Sequence, residues 1–421
     1  MAARLVSAPG SLPLSGLVVA DFSHGVAGPF ATMYLADMGA DVVKIERPGR
    51  GDASRYMTVS PDFAEHVPDV GGDYFLSINR NKRSVALDMK TDQGRALARR
   101  LAESADVVVE NFSPGVMDRL GLGYDEIARG NPAVVYCSIK AFDPRSSLAS
   151  EASMDVAVQA YSGVMSITGE PGGPPMKPGA SLADLSAGLH AYAAIVTSLL
   201  AVARGTRRGG EFIAISLLDA TMAMLANYSV PMLDSEVEIG PIGSGHPQLV
   251  PFQAFPCADG WIVIAAGTNG RWRKLCALLG RDDLVADERF ATNDTRVRHR
   301  AELIPLLNAA LADRTVADWH DQLTAAGVPA APIRTLRAAF NDPDLVTTRS
   351  VFDVDHPVLG RLRLLANPIR PGGGPRDPLA PPVLGADTRQ VLRDHLELSE
   401  EEIDSLISSG AAGEAGLGVA S

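Results

Sequence analysis

Short apolar runs alternate with helical stretches through the first part of the chain. Residues 17–22 are brief and mostly apolar, as a buried strand is, and residues 41–46 are predicted to form a second strand. The segment 29–38 between them is predicted to be a helix, because Pro29 suits a first helical turn and Gly39 follows the last. Together they form a βαβ unit, so both strands should be parallel, with a right-handed crossover. The alternation continues through strands predicted at 105–111, 132–139 and 211–216 and helices at 93–104, 185–205 and 217–228.

The pattern changes near Pro231. A glycine-rich loop at 240–247 precedes two apolar runs, 250–255 and 261–266, which flank Asp259-Gly260 and predict a β-hairpin. Helices are then predicted at about 270–279, 299–313 and 315–326.

Three segments follow from these patterns. A large α/β domain is predicted over 1–230 and a smaller α+β domain over 231–335. Residues 336–421 are predicted to return to the large domain. Ser399 and Glu402 form a capping box that opens a last helix, and the small residues from about 410 predict a flexible tail.

Composition and charge argue against several classes of function. The 421 residues carry a net charge of −12, which disfavours nucleic acid as a partner, because phosphate backbones require a basic surface. The longest apolar stretch, 191–203, falls short of the roughly 20 residues that span a bilayer, so no membrane partner is expected. Cys137, Cys257 and Cys276 form neither a CxxC metal site nor a disulfide framework. A cytoplasmic protein is therefore expected.

Asp184 is the first candidate for chemistry. It precedes the long apolar helix predicted from residue 185. A carboxylate at a helix N-terminus meets a partial positive charge, which favours its ionised form, and an ionised carboxylate can attack a thioester or accept a proton. The alternative is an N-cap, a common role of Asp before an apolar helix. Asp155 leaves a similar choice open, between a second carboxylate that assists the first and another helix cap.

Positive charge is concentrated near predicted strand ends. The stretch 79–84, with Arg47 and Arg119, predicts an anionic ligand such as a phosphorylated cofactor or substrate, because open α/β sheets bind ligands at this edge. A solvated surface is the alternative. Asn111 and Phe112 follow a strand directly, and they could bind a nucleobase or anchor a turn.

Glycine placement gives two further indications. The loop at 240–245, which includes Gly243 and Gly245, could offer backbone N–H groups to a developing negative charge, or could simply connect two elements. The GxGxxG fingerprint is absent after the first strand, where the chain reads Ser-His-Gly-Val-Ala-Gly at 23–28. A nicotinamide or flavin enzyme is therefore disfavoured.

Several motifs in register resemble one family. They are 21–23, 26–29, 39–48, 79–84, 109–112, Asp184 with Gly188, and 216–219. The chain resembles the class III CoA-transferases, a superfamily that includes formyl-CoA transferase, carnitine CoA-transferase and α-methylacyl-CoA racemase. The resemblance runs from about residue 13 to residue 408.

The resemblance implies a fold and a mechanism. The fold is a Rossmann-like large domain plus a smaller α+β domain, in a homodimer of two interlocked chains. The aspartate matching Asp184 would attack an acyl-CoA carbonyl, giving a mixed anhydride, and the CoA thiolate would then form an aspartyl-CoA thioester that passes CoA to an acceptor acid. Asp155 would be a second catalytic carboxylate. No metal and no tightly bound cofactor is implied, because the CoA thioester is a substrate.

The resemblance also implies a CoA-binding set. The matching positions that would contact CoA are Val26, Ala27, Arg47, Leu87 to Lys90, Asn111, Phe112, Ser113 and Arg119.

Departures from the family pattern narrow the activity. Racemases carry a His directly before the acid matching Asp155, where this chain has Met154, whose thioether cannot exchange a proton. His190 projects from a different helical face from Asp184. Racemisation at the α-carbon of a CoA ester remains the alternative function, and a non-catalytic acyl-CoA-binding protein is a third. Formyl-CoA:oxalate enzymes carry Gln where this chain has Val26, so we expect a larger acid than oxalate as acceptor and a succinyl-CoA-like donor.

Overall fold

A computed structural model describes residues 12–151, 153–370 and 378–416. The chain divides into two compact units. The first contains the described residues up to Ser162, Gly179–Val230 and those from Pro343 onward, and the second contains Gly163–Pro178 and Pro231–Asp342. The sequence pattern placed no part of the second unit before residue 231, because 163–178 is rich in Gly and Pro and shows no apolar periodicity.

A seven-stranded mixed sheet lies at the centre of the first unit. Its order within the described residues is β12-β3-β2-β1-β4-β5-β6, and every neighbouring pair is parallel except β12 with β3. The strands are β1 (Val18–Asp21), β2 (Asp41–Glu46), β3 (Lys82–Leu87), β4 (Val107–Glu110), β5 (Val135–Lys140), β6 (Glu211–Ser216) and β12 (Ala412–Gly413). An antiparallel pair, β10 (Val351–His356) and β11 (Gly360–Leu365), belongs to the same unit.

Helices connect the strands of both units. In chain order they are α1 (Ala27–Asp37), α2 (Asp73–Ile78), α3 (Asp92–Ser104), α4 (Val116–Arg119), α5 (Tyr124–Gly130), α6 (Asp155–Tyr161), α7 (Leu182–Ala203), α8 (Leu217–Ala223), α9 (Ser229–Asp234), α10 (Asn269–Leu279), α11 (Asp282–Ala286), α12 (Asn293–Arg298), α13 (Arg300–Leu311), α14 (Val316–Ala325), α15 (Leu336–Phe340), α16 (Pro343–Thr347), α17 (Thr388–Leu396) and α18 (Glu400–Ser408). Short 3₁₀ turns lie at Ala53–Tyr56, Pro61–His66, Val164–Ser166 and Ala226–Tyr228.

The sheet is buried on both faces, which explains its nearly continuous apolar strands. Val19 of β1 and its neighbour Val42 of β2 belong to one core cluster with α1 and α7. Ala20 and Val43, one position further along each strand, belong to a second cluster with α3 and α17. Successive side chains of a strand point to opposite faces, so each run of apolar residues supplies both cores.

Helix α7 is the long central helix of this core. By length and composition it could cross a membrane, since its most apolar window has a mean hydropathy of 1.7. The sequence-based count missed this, because it stopped at Ala191, just after His190. Ala187, Ala191 and Ile195 of α7 are fully buried in the core of the first unit. A core helix passes the same test of length and composition, so this finding is weak evidence for a membrane span.

The tail predicted to be flexible from about residue 410 begins instead with an ordered strand. Ala411 and Ala412 are buried, and β12 pairs with Leu87 and Ala86 of β3. That prediction is wrong for these residues, because small apolar side chains can enter a closely packed sheet edge. Residues 417–421 lie outside the described part of the chain.

The second unit contains a three-stranded antiparallel sheet. Its strands are β7 (Phe252–Pro256), β8 (Trp261–Ala265) and β9 (Ala330–Pro332), in that order. The first two flank Asp259-Gly260, as the hairpin signal predicted. Helices α10 to α14 supply most of the apolar core over this sheet, including Trp272 and Trp319.

Candidate active site

Asp184 is the third residue of α7. Ser181 is the N-cap of this helix, and its side chain makes no capping hydrogen bond. The alternative in which Asp184 is itself the N-cap is therefore wrong. Its carboxylate is half-buried and, among the described residues, accepts a hydrogen bond from none.

Asp155 caps α7 from a neighbouring helix. Its Oδ1 accepts hydrogen bonds from the backbone N–H of Ala183 at 2.9 Å and of Asp184 at 3.3 Å. Its Oδ2 accepts from Gln159 Nε2 at 2.6 Å, one turn further along α6. The first N–H groups of a helix lack intrahelical acceptors, so this carboxylate satisfies two of them. The same contact brings two carboxylates to one helix end.

This arrangement changes the proton affinity of Asp184. Burial raises the pKa of Asp184 to about 7, and the negative charge of Asp155 adds to the rise. The expectation that the helix N-terminus favours the ionised form is wrong in its net effect, because burial and a like charge outweigh the helix end. A carboxylate with a pKa near neutrality is a reactive group at physiological pH.

A cavity of about 500 Å³ borders Asp184. Its wall contains apolar side chains such as Met57, Ile139 and Leu217. The charged or titratable side chains of His24, Tyr74, Lys140 and Glu151 also line it. The predicted site residues that this cavity brings together are Val26, Ala27, Asn111, Phe112, Ser113, Asp155 and Asp184.

A second cavity of about 540 Å³ is lined by two of the three exposed cations predicted to bind CoA. Arg47, Leu87 and Lys90 line it, and Arg50 adds a further positive charge. No ion pair involves these three cations within the described residues. The two cavities have His24, Ala53 and Phe112 in common, so they adjoin. Arg119 is exposed at the end of α4 and is not in either wall, although the next residue, Leu120, lines the second cavity.

The cations of the basic stretch 79–84 are paired with carboxylates of the same chain, and the anionic ligand expected there remains a prediction. Arg80 pairs with Asp37, Lys82 is fully buried against Asp21 at 3.1 Å, and Arg83 pairs with Asp41. These three cations therefore neutralise carboxylates of the first unit. Their partners are distant in sequence, so the residue pattern alone could not reveal them.

Comparison with known proteins identifies the family. A family model described as CoA-transferase family III matches residues 14–388. The chain belongs to this family. Its assignment as a CoA-transferase from sequence motifs is thereby confirmed.

Two relatives and one crystal structure show the extent of the similarity. The CoA-transferase is 36% identical over 399 residues to the succinyl-CoA:glutarate CoA-transferase of Mus musculus, covering 94% of this chain and 90% of that protein. It is 39% identical over 335 residues to the succinate–glutarate CoA-transferase of Agrobacterium fabrum, covering 79% and 83%. A CAIB/BAIF family protein from Brucella suis has a TM-score of 0.81 at 36% identity, covering 91% of this chain and 100% of that one.

His24 is a site residue of the CoA-transferase that the sequence reasoning missed. It follows β1 at the carboxyl edge of the sheet, and its ring meets Phe112 edge-on at 4.9 Å. Burial lowers the pKa of its imidazole. The signal that could have found it is the sequence Ser23-His-Gly25, which places a titratable residue soon after a buried strand.

The glycine loop belongs to the second unit of the CoA-transferase. Gly243 has a φ of +61° and donates its N–H to Gly169 O at 2.8 Å. A Cβ at Gly243 would lie 3.1 Å from the Glu170 carboxylate, and one at Gly245 would lie 2.7 Å from Arg300. The positive φ favours glycine at Gly243, whereas at Gly245 a Cβ would require the end of the Arg300 side chain to move. The expected role of this loop in binding negative charge remains a prediction.

Proposed function

We propose that this CoA-transferase moves CoA from a succinyl-CoA-like donor to a second carboxylic acid, with Asp184 as the nucleophile. The observation that carries the proposal is the position of Asp184. It is a half-buried carboxylate in a cavity wall, and no described residue donates a hydrogen bond to it. Such a group can accept an acyl carbon without first losing protein partners.

The proposed reaction forms and breaks acyl bonds at this carboxylate. Ionised Asp184 attacks the donor carbonyl, and the C–S bond breaks to give a mixed anhydride and CoA thiolate. The thiolate attacks the Asp184 carbonyl, releasing the donor acid and leaving an aspartyl-CoA thioester. The acceptor carboxylate attacks this thioester, and the released thiolate then takes the acceptor acyl group. Asp184 ends as a free carboxylate, so the cycle closes.

Asp155 is proposed to support this chemistry by holding the start of α7 in place. Its hydrogen bonds fix the first turn of α7, and thereby the backbone of Asp184. Both Asp155 oxygens already accept hydrogen bonds from the protein, which favours a supporting carboxylate over a second nucleophile.

The nucleotide end of CoA is proposed to occupy the second cavity. Arg47, Arg50 and Lys90 can form charge-assisted hydrogen bonds with its phosphates. The pantetheine arm would then pass His24 and Phe112, which the two cavities share, and bring the thioester toward Asp184. Arg119, exposed nearby in sequence on α4, is the weakest member of the proposed set.

The acids are proposed from the relatives and from the cavity. Succinate and glutarate are named for the two relatives described above, and either fits a donor or acceptor longer than oxalate. Val26 lines the cavity where oxalate enzymes carry Gln, so its wall is less polar. The racemase alternative is not favoured, because Met154 is exposed and cannot act as a second base.

The first unit is proposed to be Rossmann-like and the assembly to be an interlocked homodimer. The parallel order β3-β2-β1-β4-β5-β6 is that of doubly wound nucleotide-binding sheets. Large apolar side chains on and after α8 are exposed, among them Met222 at 50% and Val230 at 67%. Exposed apolar surface of this kind is typical of an interface.

Trapping of the acyl-enzyme tests the proposal. The protein is incubated with succinyl-CoA, quenched with hydroxylamine and digested, and the modified peptide is identified by mass spectrometry. We expect a hydroxamate on Asp184, absent from Asp184→Asn and retained in Glu151→Gln, which changes another carboxylate of the same cavity. Modification of any other residue, with Asp184 unlabelled, would refute Asp184 as nucleophile.

A further inference from the structure

The loop between β1 and α1 separates the two cavities. His24 lines both of them, whereas Gly25, Val26 and Ala27 line only the cavity that contains Asp184. The position of this loop therefore determines how the acyl end of a donor can approach the nucleophile.

Asn111 holds this loop through both ends of its side-chain amide. Its Oδ1 accepts a hydrogen bond from the His24 N–H at 2.7 Å, and its Nδ2 donates to the His24 carbonyl oxygen at 2.7 Å. This reciprocal pair fixes the orientation of the amide and connects the end of β4 to the end of β1. The amide therefore acts on the protein backbone, although the resemblance assigned Asn111 to CoA.

Two buried charges restrain the same loop on either side of His24. Lys44 Nζ donates to the Ser23 carbonyl oxygen at 2.7 Å, and the Gly25 N–H donates to Asp52 Oδ1 at 2.9 Å. Gly25 has a φ of +73°, which favours glycine at this turn. Asn111 supplies the central restraint, because it binds both backbone polar groups of one residue.

The loop is also fixed relative to Asp184. Helices α1 and α7 approach so closely that a Cβ at Gly188 would lie 2.7 Å from the Ala27 carbonyl oxygen. Gly188 is one helical turn after Asp184 on α7. A shift of the loop at His24 would therefore change the cavity directly beside the nucleophile.

We propose that Asn111 is a positioning residue that holds the β1–α1 loop so that the donor carbonyl meets Asp184, and that its side chain does not bind CoA. The inference rests on the proposed function of Asp184. A direct contact with CoA would contribute mainly to donor binding, whereas a misplaced loop lowers the rate of the chemical step.

Kinetics with a complete and a truncated donor distinguish these roles. Asn111→Ala is compared with Arg47→Ala, using succinyl-CoA and succinyl-pantetheine, which lacks the nucleotide. Asn131→Ala is the matched control, because Asn131 also joins two backbone segments, through Ala105 O at 2.7 Å and the Ala133 N–H at 3.1 Å. These contacts lie at the opposite, amino-terminal ends of β4 and β5.

We expect Asn111→Ala to lower kcat roughly 10- to 100-fold with both donors and to change KM little. Arg47→Ala should raise KM for succinyl-CoA only, and Asn131→Ala should leave both constants unchanged. Asn111→Asp keeps the acceptor for the His24 N–H and should fall between wild type and Asn111→Ala. An unchanged kcat, or a KM effect that disappears with the truncated donor, would overturn the inference.

Hydrogen exchange tests the restraint without relying on the reaction. The His24 and Gly25 amides should exchange faster in Asn111→Ala than in wild type, and unchanged exchange would also overturn the inference. Failure of the proposed function is distinguishable, because the wild-type protein would then form no hydroxamate on Asp184 with either donor.

Discussion

The first unit buries carboxylates in two contrasting ways. Near the β1–α1 loop, each buried acid has a cation: Asp21 lies 3.1 Å from Lys82, and Glu46 lies 2.7 Å from Arg55. At the start of α7, no cation of the described residues pairs with Asp184, and the charge close to it is the carboxylate of Asp155.

The two environments move proton affinity in opposite directions. Burial alone would raise the pKa of Asp21, but the charges of Lys82 and Lys44, together with hydrogen bonds from Ser23 and Thr32, outweigh burial and lower it to about 2. At Asp184 burial acts without such compensation, and the pKa rises to about 7. Burial therefore does not by itself distinguish a structural carboxylate from a reactive one. The presence or absence of a paired cation does.

The largest expected effect is on stability, and it follows from removing the cation that pairs with buried Asp21. Lys82→Met leaves Asp21 buried with one fewer partner, and we expect the free energy of unfolding to fall by about 3–5 kcal/mol. Urea denaturation at pH 7 measures this change. Arg361→Met is the control, because Arg361 forms an exposed pair with Asp353 at 2.7 Å, and it should change stability by less than about 1 kcal/mol. If Lys82→Met and Arg361→Met lowered the free energy of unfolding equally, the buried pair would contribute no more to stability than the exposed one.

Neutralising Asp184 should raise the free energy of unfolding rather than lower it. The folded-state pKa of Asp184, about 7, lies above its ordinary value of 3.8, so wild type loses stability as pH rises between these values. Asp184→Asn should match wild type near pH 4 and exceed it by about 2 to 4 kcal/mol at pH 8. Asp321→Asn, at a side chain 88% exposed, should differ little at either pH. A pH-independent difference at Asp184 would contradict the raised pKa.

The strands of the sheet were predictable where both faces are apolar. β1, β2 and β4 are short strands centred on Val, Ile and Ala, and their sequence pattern identified them. β3 was missed, because it begins Lys82-Arg83-Ser84 and resembles a solvated surface. Its polar residues are satisfied by Asp21, Asp41 and Glu46, and contacts of this kind arise only after folding.

The site was predictable in its residue types but not in its contacts. Asp184 and Asp155 were both identified, and the sequence left the role of Asp155 open between cap and second carboxylate. The structure shows that Asp155 caps a helix other than its own, a contact between residues 28 and 29 positions apart. His24 and the restraint by Asn111 went unrecognised, because each depends on two strands that meet at one edge of the sheet.

Removing the charge of Asp155 should lower the pKa of the nucleophile Asp184. Asp155→Asn keeps an oxygen that can accept from the Ala183 and Asp184 N–H groups. The buried Gln159 Oε1, which has no hydrogen-bond partner among the described residues, can accept from the new amide. We expect the pH at which kcat/KM is half-maximal to fall by about one unit from a wild-type value near 7, since the ionised nucleophile then forms more readily.

The shift of the half-maximal pH is attributed to the charge of Asp155 only if no other titratable group of the cavity changes. Besides Asp184, the other titratable or charged side chains that line this cavity among the described residues are His24, Tyr74, Lys140 and Glu151, and all four are retained in the variant. Asp155→Ala removes the cap as well as the charge, so it should also lower kcat at every pH. A half-maximal pH that stays unchanged in Asp155→Asn would show that the charge of Asp155 does not influence the nucleophile.

The smallest expected effect concerns a cation that the fold leaves unpaired. Lys90 is exposed in the second cavity and, unlike Lys82, forms no ion pair with any described residue. Lys90→Ala should weaken CoA binding about threefold at low salt, and the difference should disappear near 0.5 M salt, because exposed charges are screened. Calorimetric titration of CoA measures it, with Lys177→Ala, an exposed lysine of the second unit, as the control. If Lys90→Ala destabilised the fold without changing CoA affinity, this lysine would belong with the paired, structural charges.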